Sequence, residues 1–211
     1  MNPIFDFFLG PYADRELSLI ILEATAFFFG IASVVYAKKE DILVYPTGLV
    51  ATVITTYIFF TDRLFGDMMM NFYYSIMSIY GWWNWARRKD NREHVVHISR
   101  TNAKEKWIGF GFFLLTMLVT YGVYKIFGAE IGPTNYVDIF TSGVFFTAMW
   151  YMANKKLENW TLWILADLIT VPLYAYRGWG MLSLQYLIFT ILAIQGYIAW
   201  KKLLDRNPQT S

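Results

Sequence analysis

Residues 159–174, NWTLWILADLITVPLY, form a strongly apolar stretch with an aspartate near its middle. A helix needs about 20 mostly apolar residues to cross the hydrocarbon core of a bilayer, and a charged residue at that depth is rare. The rest of the chain has the same character, because 56% of its 211 residues are hydrophobic and 20% are aromatic. Ordinary soluble domains contain fewer apolar residues. The composition therefore predicts an all-α integral membrane protein.

Seven stretches of the chain are apolar and long enough to be predicted as transmembrane helices. Tryptophan or tyrosine lies at many of their ends, as is typical of residues at the membrane–water interface. The predicted spans are residues 17–37, 42–61, 66–86, 107–127, 136–153, 160–176 and 180–200.

The distribution of Lys and Arg predicts the orientation of these spans. Fourteen of the eighteen Lys and Arg residues lie in the first, third and fifth connections or after the last span. Because cytoplasmic segments are enriched in Lys and Arg, we expect the N-terminus outside and the C-terminus in the cytoplasm. The net charge of only +2 gives no indication of nucleic-acid binding.

Two parts of the chain resemble each other, which indicates an internal repeat. Residues 36–57 align with residues 152–174 through a Lys pair, an acidic residue and a final Tyr, and residues 78–88 align with residues 193–203. The aligned positions include two glycines, two tryptophans and two acidic residues: Gly81 with Gly196, Trp85 with Trp200, and Glu23 with Asp138. Chance similarity among apolar helices is the alternative explanation.

Both predicted triplets of helices begin on the outside, so the repeat is parallel and the fourth span reverses the chain between them. The expected architecture is three plus one plus three helices. Its units are an external N-terminal segment (1–16), a first three-helix repeat (17–86), a cytoplasmic loop (87–106), a linking helix (107–127), a second three-helix repeat (128–203) and a cytoplasmic tail (204–211).

Asp167 is the acidic residue predicted to lie deepest in the membrane. At 100° per residue it shares one helix face with two indoles, a hydroxyl and a phenol, which belong to Trp160, Trp163, Thr170 and Tyr174. No Lys or Arg is predicted at that depth. The carboxyl group is then protonated, or held as an anion by neutral donors such as Thr170, or available to a cationic ligand. The aromatic rings favour the third state, because a flat organic cation could stack on them.

Polar side chains in the other predicted spans could face a solute or bond one helix to another. A stripe of them follows the third span, namely Asn71, Ser75, Ser78, Trp82 and Trp85, and others are Thr52, Thr55, Gln185 and Thr190. Hydroxyl and amide groups often form hydrogen bonds between transmembrane helices, and Trp residues often lie at the interface. Both interpretations remain open at the level of sequence.

The sequence contains no motif for catalysis or metal binding. It has no Gly-rich Walker loop, no HExxH or GxSxG motif and no Cys. His94 and His97 lie in the predicted cytoplasmic loop without further ligands nearby, which favours a solvated loop over a metal site. We therefore expect a protein that is not an enzyme and has no cofactor.

The chain from Leu17 to Lys202 resembles the PnuC family of vitamin transporters. The resemblance is strongest in the segments ENWxxW (158–163), SLQY (183–186) and YGWxxW (80–85). It implies a seven-helix fold like that of the SWEET sugar transporters and a homotrimer in the bacterial inner membrane. It also implies uptake of nicotinamide riboside by facilitated diffusion, with trapping by a cytoplasmic kinase.

The same resemblance implies a substrate site at mid-membrane, formed by Trp163, Asp167, Tyr174, Gln185, Asn71 and Trp82. Family members that carry nicotinamide riboside have Asn at the positions of Asp167 and Ala51, so the chain departs from them there. A flat heteroaromatic cation, either nicotinamide riboside or thiamine, suits a carboxylate, whereas neutral riboflavin does not. The alternative from another class is a channel or membrane scaffold whose polar stripes only pack helices.

Overall fold

The protein is all-α, and its structure, a computed structural model, describes residues 7–62, 65–87, 95–126 and 132–206. Within these residues there are seven α-helices, preceded by a short 3-10 turn at Gly10–Tyr12. The helices are α1 (Leu17–Lys38), α2 (Val44–Thr61), α3 (Phe65–Ala86), α4 (Ala103–Ile126), α5 (Pro133–Ala153), α6 (Glu158–Tyr176) and α7 (Gly180–Arg206). Each helix overlaps one of the predicted apolar stretches.

Four of the described helices, α1, α2, α4 and α7, are long and apolar enough to cross a membrane by length and composition. The other three contain more polar residues, including Asn71 in α3, Asp138 in α5 and Asp167 in α6. Polar residues of this kind are tolerated in a membrane helix when they face the interior of the bundle.

Six of the helices pack in a closed ring. In the described residues α1 packs on α2, α2 on α3, α3 on α5, α5 on α6, α6 on α7, and α7 again on α1. The remaining helix, α4, lies outside the ring, where it packs mainly on α5. The chain therefore places α1–α3 on one side of a common interior and α5–α7 on the other.

Two helix ends differ most from the predicted boundaries. α4 begins four residues before the predicted start at 107, because Asn102 and Glu105 form a capping box: each side chain accepts the backbone N–H of the other at 2.9 Å. α7 continues through Arg206, since Trp200 and Leu204 are buried against the core and extend the packed face beyond 200. The predicted loop 87–106 and tail 204–211 are correspondingly shorter.

The end of the long connection is docked rather than solvated. Ile98 is only 6% exposed. The N–H of Ser99 donates to the carbonyl of Lys155 at 3.1 Å, and the N–H of Leu157 donates to the carbonyl of Ser99 at 2.9 Å. This segment therefore adds two backbone hydrogen bonds to the α5–α6 turn, a contact that the sequence pattern did not indicate.

The two histidines of this connection separate structurally. His97 is exposed, and His94 lies outside the described residues. Among the residues that the structure describes, no group of three His, Cys, Asp or Glu side chains could hold a metal ion.

The same tight contact occurs in α1–α3 and, 115 residues later, in α5–α7. A Cβ atom at Gly81 would collide with the ring of Tyr45, and a Cβ atom at Gly196 would lie 2.6 Å from the ring of Trp160. Trp85 meets Tyr45 edge-on at 5.1 Å, and Trp200 meets Trp160 edge-on at 5.5 Å. Glycine is needed at both positions because an aromatic ring occupies the space of a side chain.

The turns after α1 and α5 also match at this shift. Glu40 has a φ angle of 59° and Lys155 one of 51°, so both are non-glycine residues in the left-handed region. The N–H of Glu40 donates to the carbonyl of Ala37, and that of Lys155 to the carbonyl of Met152. The shift of 115 residues places Lys39 opposite Asn154, and the backbone N–H groups of both make the same hydrogen bonds in their own turns. The predicted alignment of the two Lys pairs is therefore two residues away from this correspondence.

Candidate functional site

Asp167 lies in the middle of α6 with its side chain inside the bundle. It is 2% exposed, and its Oδ1 atom has no hydrogen-bond partner among the described residues. The hydroxyl of Thr170, one of the neutral donors considered from the sequence, donates instead to the carbonyl of Ala166 at 2.8 Å. A buried carboxyl oxygen without a partner carries a desolvation penalty, which a ligand could relieve.

The other acidic residues singled out in the sequence have cationic partners. Arg15 lies 2.9 Å from Glu23 and 2.8 Å from Asp62, and Arg177 pairs with Asp138. Burial, together with the negative charge of Glu23, raises the pKa of Tyr12, which precedes α1, to about 12. In the part of the chain that the structure describes, Glu23 and Asp138 therefore each have a cationic partner, whereas Asp167 has no ion pair.

Aromatic side chains from four helices lie around Asp167. We call them the aromatic cluster: Tyr74 from α3, Phe145 from α5, Trp163 and Tyr174 from α6, and Tyr186 from α7. The ring of Trp163 lies 5.5 Å from Phe145 and 6.3 Å from Tyr74. Tyr186 lies 5.9 Å from Phe145 and 5.3 Å from Tyr174.

The cluster is adjacent to the carboxylate. Trp163 and Tyr174 lie one turn before and two turns after Asp167 on the same face of α6. Tyr74 and Tyr186 both interact electrostatically with the Asp167 carboxyl group across the interior. The arrangement thus combines one acid that has no ion pair with aromatic side chains from both halves of the six-helix bundle.

The structure brings together only part of the predicted site. Trp163, Asp167 and Tyr174 lie together, as described above. Gln185 is half-buried on α7, where its amide nitrogen approaches Gly30 of α1. Asn71 is half-buried on α3 and donates to the backbone carbonyl of Asp67 at 3.0 Å. The described contacts place neither amide against Asp167.

Trp82 lies apart from the aromatic cluster. It is 41% exposed, and within the described residues it makes no ring contact with any member of the cluster. Trp85, which shares its stripe, instead packs in the core against Tyr45. Both indoles lie on the predicted polar stripe of α3, so the stripe alone did not show that one is exposed and the other is buried in the core.

Several hydroxyl groups in the spans bond helices together or bond to their own helix. The hydroxyl of Ser75 on α3 donates to that of Thr52 on α2 at 2.8 Å. Thr55 and Thr190 each donate to the carbonyl four residues earlier in their own helix, at 2.8 Å. The contact of Ser75 agrees with the interpretation that such groups bond one helix to another, whereas these bonds of Thr55 and Thr190 lie within their own helices.

Sequence reasoning missed three members of the aromatic cluster, Tyr74, Phe145 and Tyr186. They lie on three different helices, and only the packing of the six helices against one another brings them to α6. Of the three, Tyr186 had the clearest signal in the sequence, because it belongs to the SLQY motif and follows Gln185 directly. Tyr74 and Phe145 have no signal that separates them from other aromatic residues of the core.

The chemistry of the site suits a flat organic cation. A carboxylate supplies the counter-charge, and the faces of Tyr and Trp rings attract positive charge by a cation–π interaction. The arrangement can therefore recognise a cation.

Comparisons with known proteins agree on one group. Residues 20–202 match the model of a family described as nicotinamide mononucleotide transporter. The chain is 24% identical to "Nicotinamide riboside transporter PnuC" of Escherichia coli K12, over 90% of this chain and 89% of that protein. It is 27% identical to the protein of the same name in Neisseria mucosa, over 88% and 74% of the two chains.

Two further matches are to a riboflavin transporter and to a solved structure. A segment covering 59% of this chain is 27% identical to 58% of "Riboflavin/roseoflavin transporter RibM" of Streptomyces davaonensis. A solved structure titled "Crystal structure of the Vitamin B3 transporter PnuC" superimposes with a TM-score of 0.71 at 24% identity, over 96% of this chain and 86% of that one. At this identity the structural match establishes a shared fold.

Proposed function

The chain belongs to the nicotinamide mononucleotide transporter family, and we propose that it takes up nicotinamide riboside across the inner membrane. As a member of a transporter family with apolar helices, it is a multi-pass membrane protein. The observation that carries the substrate proposal is the buried Asp167, whose Oδ1 has no partner among the described residues and which lies beside the aromatic cluster.

Nicotinamide riboside fits this site because its pyridinium ring is flat, aromatic and positively charged. The ring would stack on the cluster while Asp167 supplies the counter-charge. Relatives from Escherichia coli and Neisseria mucosa carry this vitamin in their names, which supports it over thiamine. Thiamine, also a flat cation, is the second candidate on the same observation, whereas neutral riboflavin gains nothing from a carboxylate.

The substrate-binding residues of the proposal are Trp163, Asp167 and Tyr174 on α6, Gln185 on α7, and Asn71 and Trp82 on α3. The three α6 residues have the strongest support, since they lie together at the aromatic cluster. Asn71 and Gln185 would contribute hydrogen bonds to the hydroxyl groups of the sugar after a rearrangement that opens the site. Trp82, which is half-exposed, has the weakest support.

The proposed architecture is seven transmembrane helices in a parallel three-plus-one-plus-three repeat of the SWEET type. Its units are the helices α1–α3 and α5–α7, linked by the loop after α3 and by α4 (Ala103–Ile126), with residues 1–16 outside and residues 207–211 in the cytoplasm. The closed ring, the matched glycine contacts and the matched turns support this repeat. The homotrimer remains a proposal from the family resemblance.

The proposed mechanism is facilitated diffusion with alternating exposure of one central site as the two repeats move against each other. Glu23 and Asp138 are held in ion pairs with Arg15 and Arg177, which argues against their use as proton carriers. A uniporter only equilibrates its substrate, so net uptake would depend on phosphorylation by a cytoplasmic kinase.

Uptake into proteoliposomes tests the proposal. Labelled nicotinamide riboside should enter saturably, excess unlabelled nicotinamide riboside should compete, and riboflavin should not. Counterflow of the label without a pH gradient should persist, which would separate uniport from obligatory proton coupling. Leakage that does not saturate would instead support the channel or scaffold alternative, and stronger competition by thiamine would reassign the substrate.

A further inference from the structure

Glu40 and Lys155 form an ion pair that joins the two halves of the helix ring. Glu40 follows α1 and Lys155 follows α5, and their Oε1 and Nζ atoms lie 2.7 Å apart. The side chain of Lys155 is 5% exposed and that of Glu40 is 30% exposed. Under the shift of 115 residues that matches the halves, the two positions are equivalent, so their mutual contact places the pair close to the axis that relates the halves.

A second equivalent pair lies beside it. The rings of Trp85 and Trp200, which also correspond at this shift, lie 6.1 Å apart. The ammonium group of Lys155 lies 4.5 Å from the centre of the Trp85 ring. The same end of the bundle therefore has two contacts between equivalent residues, connected to each other by Lys155.

Further polar contacts at this end also run from one half to the other. The indole N–H of Trp200 donates to the carbonyl of Ala37 at 2.9 Å, and the amide of Asn84 donates to the carbonyl of Ala153 at 2.9 Å. By contrast, the ion pairs described at the opposite end remain within one half, since Arg15 binds α1 and the end of α2 while Arg177 binds α5.

We propose that the Glu40–Lys155 pair is the cytoplasmic gate of the transporter, closed in this structure, which must separate for the substrate to leave the central site. The proposal rests on the transport function and the orientation proposed above, in which this end faces the cytoplasm. Separation of the halves at this end would break the ion pair and part Trp85 from Trp200. At the opposite end, the described ion pairs impose no such restraint.

Thiol accessibility tests the gate without any substrate. The natural chain has no Cys, so Ser78→Cys introduces a single reporter. Ser78 is buried on α3, two turns from Trp85 and two from Asn71 on the same side of the helix. A membrane-impermeant maleimide would be applied to the cytoplasmic face of inside-out vesicles and, separately, to the outer face of right-side-out vesicles.

In this background, Lys155→Met and Glu40→Gln should each speed cytoplasmic labelling by about tenfold, which corresponds to about 1.4 kcal/mol in the open-to-closed equilibrium. The exchanged double variant Glu40→Lys with Lys155→Glu should return the rate towards that of the parent, because the pair can form again. Lys156→Met is the matched control: it removes the same charge one residue later, and its partner Glu105 lies on α4 rather than in the other half.

Three results would overturn the gate. The first is unchanged cytoplasmic labelling in both single variants, and the second is an equal increase in Lys156→Met. The third is an increase only from the outer face, which would contradict the orientation. Because Glu40 is partly exposed, Glu40→Gln should fold even if Lys155→Met does not. A wrong substrate would leave these labelling rates unaffected and would appear only in the uptake assay.

Discussion

Lys155 pairs with Glu40 at 2.7 Å, and the two residues occupy the same left-handed position at the ends of α5 and α1. Residues at equivalent positions can touch each other only near the axis that relates them. The pair therefore marks the line along which the two halves meet. The same shift takes Asp167 to Thr52, so the two halves differ there: α6 carries a carboxyl group, and α2 carries a hydroxyl group.

Replacement of Asp167 by Asn should stabilise the ligand-free protein. The carboxyl group is buried without a partner for Oδ1 among the described residues, and an amide of the same shape carries a smaller desolvation penalty. We expect a rise of a few degrees in the melting temperature in detergent, because residues that serve function often lower the stability of the folded protein. Asp138→Asn is the control, since it breaks the pair with Arg177 and should lower the melting temperature. A fall for Asp167→Asn would indicate a hidden partner.

Replacement of Gly196 by Ala should destabilise the protein by roughly 1–3 kcal/mol, as overpacking of a core does. The added methyl group would lie 2.6 Å from the Trp160 ring, which is itself packed against Trp200. Gly111→Ala on α4 is the matched control, because nothing lies within 4 Å of its added methyl group. Thermal unfolding of both variants measures the difference. Equal melting temperatures would mean that the Trp160 ring moves aside easily.

Replacement of Trp163 and of Trp82 by Leu should have different effects on transport. Trp163 belongs to the aromatic cluster, so its loss should weaken binding of nicotinamide riboside by about tenfold, in the range of a desolvated cation–π contact. Trp82 is 41% exposed and lies outside the cluster, so its loss should weaken substrate binding less than the loss of Trp163, by about two- to threefold. Uptake kinetics in proteoliposomes separate the two. A larger effect at Trp82 than at Trp163 would contradict the central place given to the aromatic cluster.

Replacement of Asn102 by Ala should lower stability by about 1 kcal/mol, the usual value of a helix N-cap. Its side chain accepts the N–H of Glu105 at 2.9 Å and starts α4. Asn102→Asp keeps an acceptor oxygen and should be nearly neutral. Urea or thermal unfolding measures both variants, and a similar loss in each would assign the effect to the amide nitrogen rather than to the cap.

The sequence predicted where the helices lie because length and apolar composition are local properties, and this holds most clearly for α1, α2, α4 and α7. It also predicted the inner face of α6, since Trp163, Asp167 and Tyr174 follow the period of a single helix. Tyr74, Phe145 and Tyr186 could not be predicted in the same way. Their approach to Asp167 depends on the order in which six helices pack around the ring, and that order is not encoded in the pattern of any one helix.

Two smaller differences have local causes that a closer inspection of the sequence could find. The early start of α4 follows from Asn102 and Glu105, which are spaced as a capping box. The shift in the repeat alignment has another origin. The Lys pairs are similar in sequence. The backbone hydrogen bonds and the left-handed residues Glu40 and Lys155 nevertheless match at a shift of 115 residues, which is two fewer than the shift that aligns the Lys pairs.

Binding of nicotinamide riboside to the purified protein and to its Asp167→Asn variant tests the central claim most directly. Isothermal titration should give saturable binding to the natural protein and at least tenfold weaker binding to the variant, about 1.4 kcal/mol or more, because a desolvated carboxylate would be lost beside the cation. Riboflavin, a neutral ligand, should bind detectably to neither protein. Equal affinity of the two proteins for nicotinamide riboside would contradict the claim that Asp167 recognises the positive charge.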